Sequence, residues 1–446
     1  MFLRTANFAY IRQSNSLLGA VILILCAVFI TPAQAQNDFE AEIKMAREKY
    51  AAGDFDTAIT LLRQCLRQND LAAAHRMQAC HGLAQAYMAK NALDEAKQHL
   101  LNMMALAPDY QPDPEQEPPS FIALVNEVKF GLMAQRLAQT LAQNCPASKN
   151  APLRIAPGHF AYQNSPVSSP LLHGLQERLT AALDDMPQFE MVTMAELQNA
   201  VKMRGIDVFA RLQPNSPEAV QTITEADAVL LGEAWERGDS LALVIKLVQN
   251  NNQQPLSLAK AGMAKSALPA NLSIRPANFE QAQQIVAGLQ DAASGSTKLE
   301  IKLWVDRLNG AIYREGEEMA AYVRANKECY VNLIYHDASS ADFLIFPNQH
   351  ETDNRLAANQ VYEILGPSRR FRVVVAPPFG VEILKVFAST QPLAELNGEK
   401  ITGAGIKRLQ SSLAEMTTAM RGVSVSARPA ERAEASCVVT TVQLPQ

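Results

Sequence analysis

Basic surplus, paired cysteines and long apolar runs are all scarce in this chain of 446 residues, and each shortage removes a class of function. Beyond residue 35 no stretch of eighteen consecutive apolar residues occurs, so the rest of the chain holds no helix able to cross a bilayer. Forty lysines and arginines stand against 45 aspartates and glutamates, a formal net charge of −5. That balance argues against nucleic acid as a partner, because phosphate binding needs a basic face. The six cysteines form no CxxC pair and no Cys/His cluster at ligand spacing, which argues against a zinc site. HExxH and GxSxG are both absent, removing the commonest signals for zinc proteases and serine hydrolases. Gly403-Ala404-Gly405 is a lone glycine pair that reads as the start of a helix, not a phosphate loop. His336-Asp337 reads as turn chemistry, Asp184-Asp185 as a helix end, Glu317-Glu318 as a water-facing pair and Arg369-Arg370 as a solvated strand edge. No catalytic, cofactor-binding or metal-ligating residue emerges, and the protein is read as a non-enzyme with no cofactor.

The amino terminus carries a targeting pattern. Arg4 and Arg12 precede a fourteen-residue apolar run from Leu17 to Ile30, followed by Pro32-Ala33-Gln34-Ala35, an Ala-x-Ala cleavage pattern. Residues 1–35 are therefore read as a cleavable signal peptide, and the mature chain as periplasmic. Cys26 follows Leu25 rather than a small residue, so lipidation at that cysteine is discounted. Five cysteines remain after cleavage, and export to an oxidising space makes disulfides permissible while an odd count leaves one thiol unpaired.

Residues 38–144 read as helical throughout. Gly53-Asp54-Phe55-Asp56-Thr57-Ala58-Ile59 recurs loosely as Asn91-Ala92-Leu93-Asp94-Glu95-Ala96-Lys97, and aligning Ala58 with Ala96 sets a repeat of 38 residues. Leu83, Ala84, Tyr87, Ala96, Leu100 and Pro108 in the second unit, with Ala46, Gly53, Ala58, Leu62 and Leu66 in the first, resemble a pair of tetratricopeptide repeats. A further helix over Ser120 to Leu141 is expected to cap them, since two repeats bury little surface alone. The resemblance implies a concave groove lined by first-helix positions: Arg47 and Tyr50, then His81 and Gln85. A protein partner would dock there. Cys65 and Cys80 fall on neighbouring antiparallel helices, which points to a Cys65–Cys80 disulfide, the alternative being two small buried thiols.

Residues 152–293 are organised around Ala226-Asp227-Ala228-Val229-Leu230-Leu231-Gly232 and the strand that answers it, Leu241 to Val248. Arg237-Gly238-Asp239 supplies the turn, and Leu241, Leu243, Ile245 and Leu247 share one face. Upstream, Leu153 to Tyr162 and Phe189 to Val192 read as strands. Ser169-Pro170, the capping box Thr193-Met194-Ala195-Glu196 and Ser216-Pro217 open three helices. The order β-α-β-α-α-β-β-β, with a last strand near Leu256 to Ala264, gives an α/β sandwich. This order and the Ala226 to Glu233 run resemble the CsgG curli-secretion family and its relatives: FlgO proteins, LpoB-type activators of peptidoglycan synthases and the TolB amino-terminal domain. The resemblance implies protein–protein contact in a bacterial envelope. The long amphipathic hairpins of the secretion channels are missing here, and two tryptophans cannot furnish an aromatic belt.

Ser294-Gly295-Ser296 reads as the boundary before a third domain, residues 298–446. Its first strand alternates Leu299, Ile301, Leu303 and Val305 against polar neighbours, and Asn309-Gly310 signals a hairpin directly after it. Seven further short strands imply an Ig-like β-sandwich, interrupted by one amphipathic helix carrying Ile406, Leu409, Leu413, Met416 and Met420. Trp304-Val305-Asp306-Arg307, Cys329-Tyr330-Val331, Phe346-Pro347-Asn348 and Pro378-x-Gly380-x-Glu382 resemble a bacterial domain of unknown function, DUF4384. Cys329 and Cys437 both fall on strands, admitting a second disulfide.

The whole reads as a multidomain chain: tetratricopeptide hairpins, a CsgG/TolB-N-like α/β sandwich, then a mostly-β sandwich. Its expected role is a non-catalytic envelope scaffold with protein partners, with outer-membrane association and homo-oligomerisation left open. A ring-forming subunit of an outer-membrane secretion or flagellar assembly is the second reading, and a hydrolase the third.

Overall fold

The computed structural model describes residues 32–68, 71–146, 151–214, 216–249, 255–288, 299–308, 310–401, 403, 405–421 and 430–443. The apolar leader, Cys26 and the Ser294-Gly295-Ser296 boundary lie outside them. The chain divides into two compact units, residues 1–111 and 112–446.

The described residues of the first unit form four helices, α1 (Pro32–Ala51), α2 (Phe55–Leu66), α3 (Ala73–Ala89) and α4 (Leu93–Leu106). Gly53 ends α1 at φ +79° and Asn91 ends α3 at φ +58°, both left-handed positions suited to glycine and asparagine. These two residues are 38 apart, as are Ala58 and Ala96, and both alanines are fully buried where paired helices meet. Asp54 caps α2, its carboxylate accepting from the Thr57 N–H at 3.3 Å. Consecutive helices pack pairwise, and α1 also adjoins α3.

The second unit begins with α5 (Pro119–Asn144), β1 (Leu153–Tyr162), α6 (Pro170–Asp184), β2 (Phe189–Met191), α7 (Met194–Arg211) and α8 (Pro217–Thr224). β3 (Ala228–Arg237), β4 (Ser240–Val248), β5 (Ser257–Ala264) and α9 (Phe279–Gly288) follow. The sheet runs β2-β1-β3-β4-β5, parallel through its first three strands and antiparallel through the rest. All three helix caps read from sequence form. Ser169 accepts from Leu172 N–H, Ser216 from Ala219 N–H, and Thr193 and Glu196 make the reciprocal capping box. Gly238, with φ +58°, opens the two-residue loop of the β3–β4 hairpin, the position where a type II′ turn needs glycine. Along β4, Leu241, Leu243, Ile245 and Leu247 are buried as the alternation requires.

The remainder is strand-rich: β6 (Ile301–Val305), β7 (Ala311–Arg314), β8 (Glu318–Met319), β9 (Ala321–Ala325), β10 (Cys329–His336), β11 (Asp342–Phe346) and β12 (Arg355–Leu356). Then come β13 (Val361–Leu365), β14 (Val373–Val374), β15 (Val381–Ser389), β16 (Gly398–Lys400), β17 (Lys407–Leu409), α10 (Leu413–Arg421) and β18 (Arg432–Val442). The large sheet runs β16-β17-β11-β10-β15-β18-β7, and a smaller one β13-β9-β6. Leu303 and Val305 of β6 share an apolar core with Val331 and Leu333 of β10, Leu384 of β15 and Val439 of β18.

Four expectations need correction. α5 belongs to the second unit, where it packs on α6 and β5 and contributes Phe130, Leu137 and Leu141 to their core. The hairpin expected at Asn309-Gly310 is not seen in the strand pairing: β6 pairs with β9 and β7 pairs in parallel with β18, so β6 and β7 belong to different sheets. Ile406 and Leu409 precede the amphipathic helix, which begins at Leu413; Leu409 closes β17, and Gly403 and Gly405, both at positive φ, lie in the turn that joins β16 to β17. Finally, the α/β and β-sandwich segments are not separate bodies, because one core joins Leu172 and Leu230 to Ile383, Phe387 and Leu413.

Candidate functional site

The four groove residues lie on adjoining helices, Arg47 and Tyr50 on α1 and His81 and Gln85 on α3. Arg47 is exposed and the other three are partly exposed, whereas Ile43 and Ala46 on α1 and Leu83 and Ala84 on α3 are buried. Tyr50 packs on Phe55 with ring centroids 5.5 Å apart, and His81 meets Tyr110 edge-on at 6.0 Å. Both rings are therefore fixed by neighbours within the repeat unit, which limits the ordering a partner must impose.

No disulfide joins the described cysteines. Cys65 and Cys80 are free and buried. The Cys65 thiol faces α1, donating to Glu42 Oε2 at 2.9 Å, and burial is the main reason its pKa is pushed up to about 12. Cys329 and Cys437 are free as well. Strand register explains it: Tyr335 is level with Leu384, and Leu384 with Cys437, so Cys329 sits six residues further along β10 and two strands across. That places the sulfurs about 20 Å apart, far beyond disulfide reach. Cys145, half-buried, is also a free thiol.

The second unit encloses a feature that the sequence reading missed, a cavity of about 470 Å³. Residues distant in sequence form it: β1 and α6, the β2–α7 junction, Val220 of α8, Val229 and Leu231 of β3, and Arg307, Leu308, Gly310 to Ile312, Arg314 and Glu317. Its position follows from local geometry. β2 is only three residues long and pairs with Leu153 to Ile155, while Pro157 has no N–H to continue the ladder. A bulge between Pro157 and Phe160 then breaks the register with β3, leaving His159 beside the gap. Val192, Leu197, Val229 and Leu231 make an apolar wall.

Charged groups line it as well. Arg314 pairs with Glu177, and His173 Nε2 lies 3.5 Å from the same carboxylate. Arg307 Nη1 donates to Glu317 Oε2 at 2.7 Å and to Ile312 O at 3.0 Å. Glu317 is thus tied into an ion pair rather than simply facing water. Burial lowers the pKa of His159 and His173, so both imidazoles are neutral near pH 7. Among the described residues no group of three or more His, Cys, Asp and Glu side chains is placed to hold a metal ion. No described helix is long and apolar enough to cross a membrane.

His336 is buried and bonded through Nδ1 to Asp342 at 2.9 Å, while Asp337 accepts from the Ser339 and Ala341 N–H groups in a turn. Asp184 ends α6, where its carboxylate accepts from Met191 N–H.

Comparison with known proteins gives matches to parts of the chain. Residues 49–115 match the tetratricopeptide repeat model, and residues 312–392 match a domain of unknown function, DUF4384. No curated protein matches the chain. Among solved structures, the chain is similar to the LpoB C-terminal domain from Escherichia coli at 14% identity, over 30% of this chain and 98% of that one, with TM-score 0.25. The LpoB C-terminal domain from Salmonella enterica is 16% identical over 29% of this chain and 95% of that one, with TM-score 0.23. The lipoprotein GNA1162 from Neisseria meningitidis is 17% identical over 32% of this chain and all of its own, with TM-score 0.19. The chain thus combines a tetratricopeptide-repeat module, an α/β segment and a strand-rich segment that includes a domain of unknown function.

Proposed function

We propose that this protein is a non-catalytic scaffold of the bacterial cell envelope, exported by a cleaved signal peptide, that engages a protein partner through its helical-repeat unit. One observation supports the reading: Arg47 is exposed and Tyr50, His81 and Gln85 are partly exposed on adjoining first helices, whose other faces bury Ile43, Ala46, Leu83 and Ala84. Arginine and tyrosine are among the residue types that dominate binding energy at protein interfaces, and the Tyr50 and His81 rings are held by Phe55 and Tyr110. The leader pattern at residues 1–35 supports the compartment.

The test is affinity capture from envelope extracts with the wild-type chain and a variant carrying Arg47→Ala, Tyr50→Ala, His81→Ala and Gln85→Ala together. Circular dichroism of the variant checks that the helices persist. The scaffold reading expects a partner retained by the wild type and lost by the variant; equal retention overturns the groove assignment. Light scattering on the full chain tests the ring-forming alternative, which requires an oligomer.

A further inference from the structure

The five-stranded sheet of the second unit ends in two unlike edges. At one, β2 is three residues long and its outward amides are already used. Phe189 N–H donates to Met186 O at 3.0 Å, and Met191 N–H to Asp184 Oδ1 at 3.2 Å. At the other, β5 runs for eight residues without a bulge or a proline, and among the described strands it pairs with β4 alone. Sheets blunt an edge of that length by shortening, bulging or covering it, because its free N–H and C=O groups template another strand.

Register shows which groups are free. Lys265 N–H donates to Asp239 O at 2.8 Å, and the ladder continues at the same spacing. Met263, Ala261 and Ala259 therefore turn their backbone groups to Leu241, Leu243 and Ile245, while Leu258, Lys260, Gly262 and Ala264 turn theirs outward. Asn144, the last residue of α5, donates through Nδ2 to Leu258 O at 3.3 Å. The outward groups of Lys260, Gly262 and Ala264 have no partner among the described residues, and all three residues are exposed. A β-carbon at Gly262 would meet only Leu241 O, at 3.8 Å, so the edge is unobstructed there.

Side chains select the occupant. Ser257 and Ala259 are buried towards α5, where Ser257 Oγ donates to Leu141 O, and Ala261 and Met263 on that same face are half-buried against the core. The opposite face carries Lys260, which forms no ion pair with a described residue. A strand laid along this edge meets an apolar step on one face and an unmatched cation on the other. A second copy of β5 would bring a lysine and no acid.

We propose that β5 accepts an extended segment of a protein partner as a sixth, antiparallel strand, with apolar residues opposite Ala261 and Met263 and an acidic residue opposite Lys260. The probe is the capped peptide Glu-Thr-Val-Thr-Val-Glu-Val-Thr-Glu, and the control carries lysine at its three glutamates. Calorimetric titration of the full chain should show saturable one-to-one binding of the acidic peptide, at least about fivefold tighter than of the control. Hydrogen–deuterium exchange over residues 257–264 should slow when the acidic peptide is bound.

Gly262→Pro removes an outward N–H at a kind of strand position that tolerates proline, and it should weaken the acidic peptide about tenfold. Gly262→Ala keeps that N–H and should leave the affinity within about threefold. Lys260→Glu, at an exposed position, should reverse the preference between the two peptides, a test that stands whether or not Gly262→Pro folds. Thermal unfolding without peptide establishes which variants are folded. Absence of saturable binding overturns the proposal, as do unchanged exchange over 257–264 and a preference untouched by Lys260→Glu. Self-association of the wild type that Gly262→Pro abolishes, read by light scattering, would give the edge to a second copy and overturn it too. None of these outcomes depends on the repeat groove.

Discussion

Gly310 closes against the imidazole of His159: a β-carbon added at residue 310 would stand 2.2 Å from the ring. The glycine also has φ +78° and donates its N–H to Val438 O at 2.6 Å. This contact fastens the β6–β7 crossover to the bulge in β1.

Gly310→Ala therefore combines left-handed strain of about 1–2 kcal/mol with overpacking of about 1–3 kcal/mol. A loss of roughly 2–5 kcal/mol in unfolding free energy is expected from urea denaturation. Gly403, also at positive φ but with open space around it, should lose much less on substitution by alanine.

Glu382 makes stability depend on pH. It is 2% exposed, and burial raises its carboxyl pKa from 4.5 to about 7 against the opposing bonds from Tyr335 and Thr441. The Tyr335 hydroxyl donates to Oε2 and Thr441 Oγ1 to Oε1, with His336 and Asp337 nearby. The folded state holds a proton that the unfolded chain releases above its ordinary value. The stabilisation is complete below pH 4.5, declines as pH rises, and is gone above 7. Its full size is ~3 kcal/mol. Glu382→Gln, which imitates the protonated acid, should flatten this slope and exceed the wild type in stability at pH 8. Parallel pH profiles for the two proteins would contradict this assignment.

Trp304 joins the α/β and strand-rich segments. Its ring is 1% exposed, edge-on to Phe209 of α7 at 5.2 Å and stacked with Tyr322 of β9 at 6.0 Å. Trp304→Ala is expected to cost about 3–5 kcal/mol. Trp304→Phe leaves Trp235 on β3 as the only tryptophan, and its fluorescence should report an unfolding transition coincident with circular dichroism over residues 112–446. A fragment of residues 112–293 should fail to fold, having lost Ile383, Phe387 and Leu413 from its core.

The free thiols give a chemical test. Cys65, Cys80, Cys329 and Cys437 are buried and Cys145 is half-buried, so Cys145 should react first with a thiol reagent in the native protein. Denaturation without reductant should release the other four.

Local signals transferred well from sequence to structure. Caps at Ser169, Thr193 and Ser216 and the alternation along β4 depend on residues within a few positions of one another. The failures all involve long-range partners. The Asn309-Gly310 dipeptide fits a hairpin, but Ala311 to Arg314 instead gains a parallel neighbour in Val439 to Val442, a pairing no local pattern encodes. The apolar stripe of α5 declares that the helix is buried without naming what buries it. Leu409 and Leu413 share helical spacing although a strand end and a helix start separate them. The cavity was invisible for the same reason, since residues near 159, 192 and 312 meet only after three such pairings form.

The most direct measurement is calorimetric titration of the captured partner into the wild-type chain and into the fourfold Arg47, Tyr50, His81, Gln85 alanine variant. Binding through the repeat groove predicts a loss of at least about thirtyfold in affinity, the consequence of removing interface anchors worth about 2 kcal/mol together. Equal dissociation constants for the two proteins would contradict it.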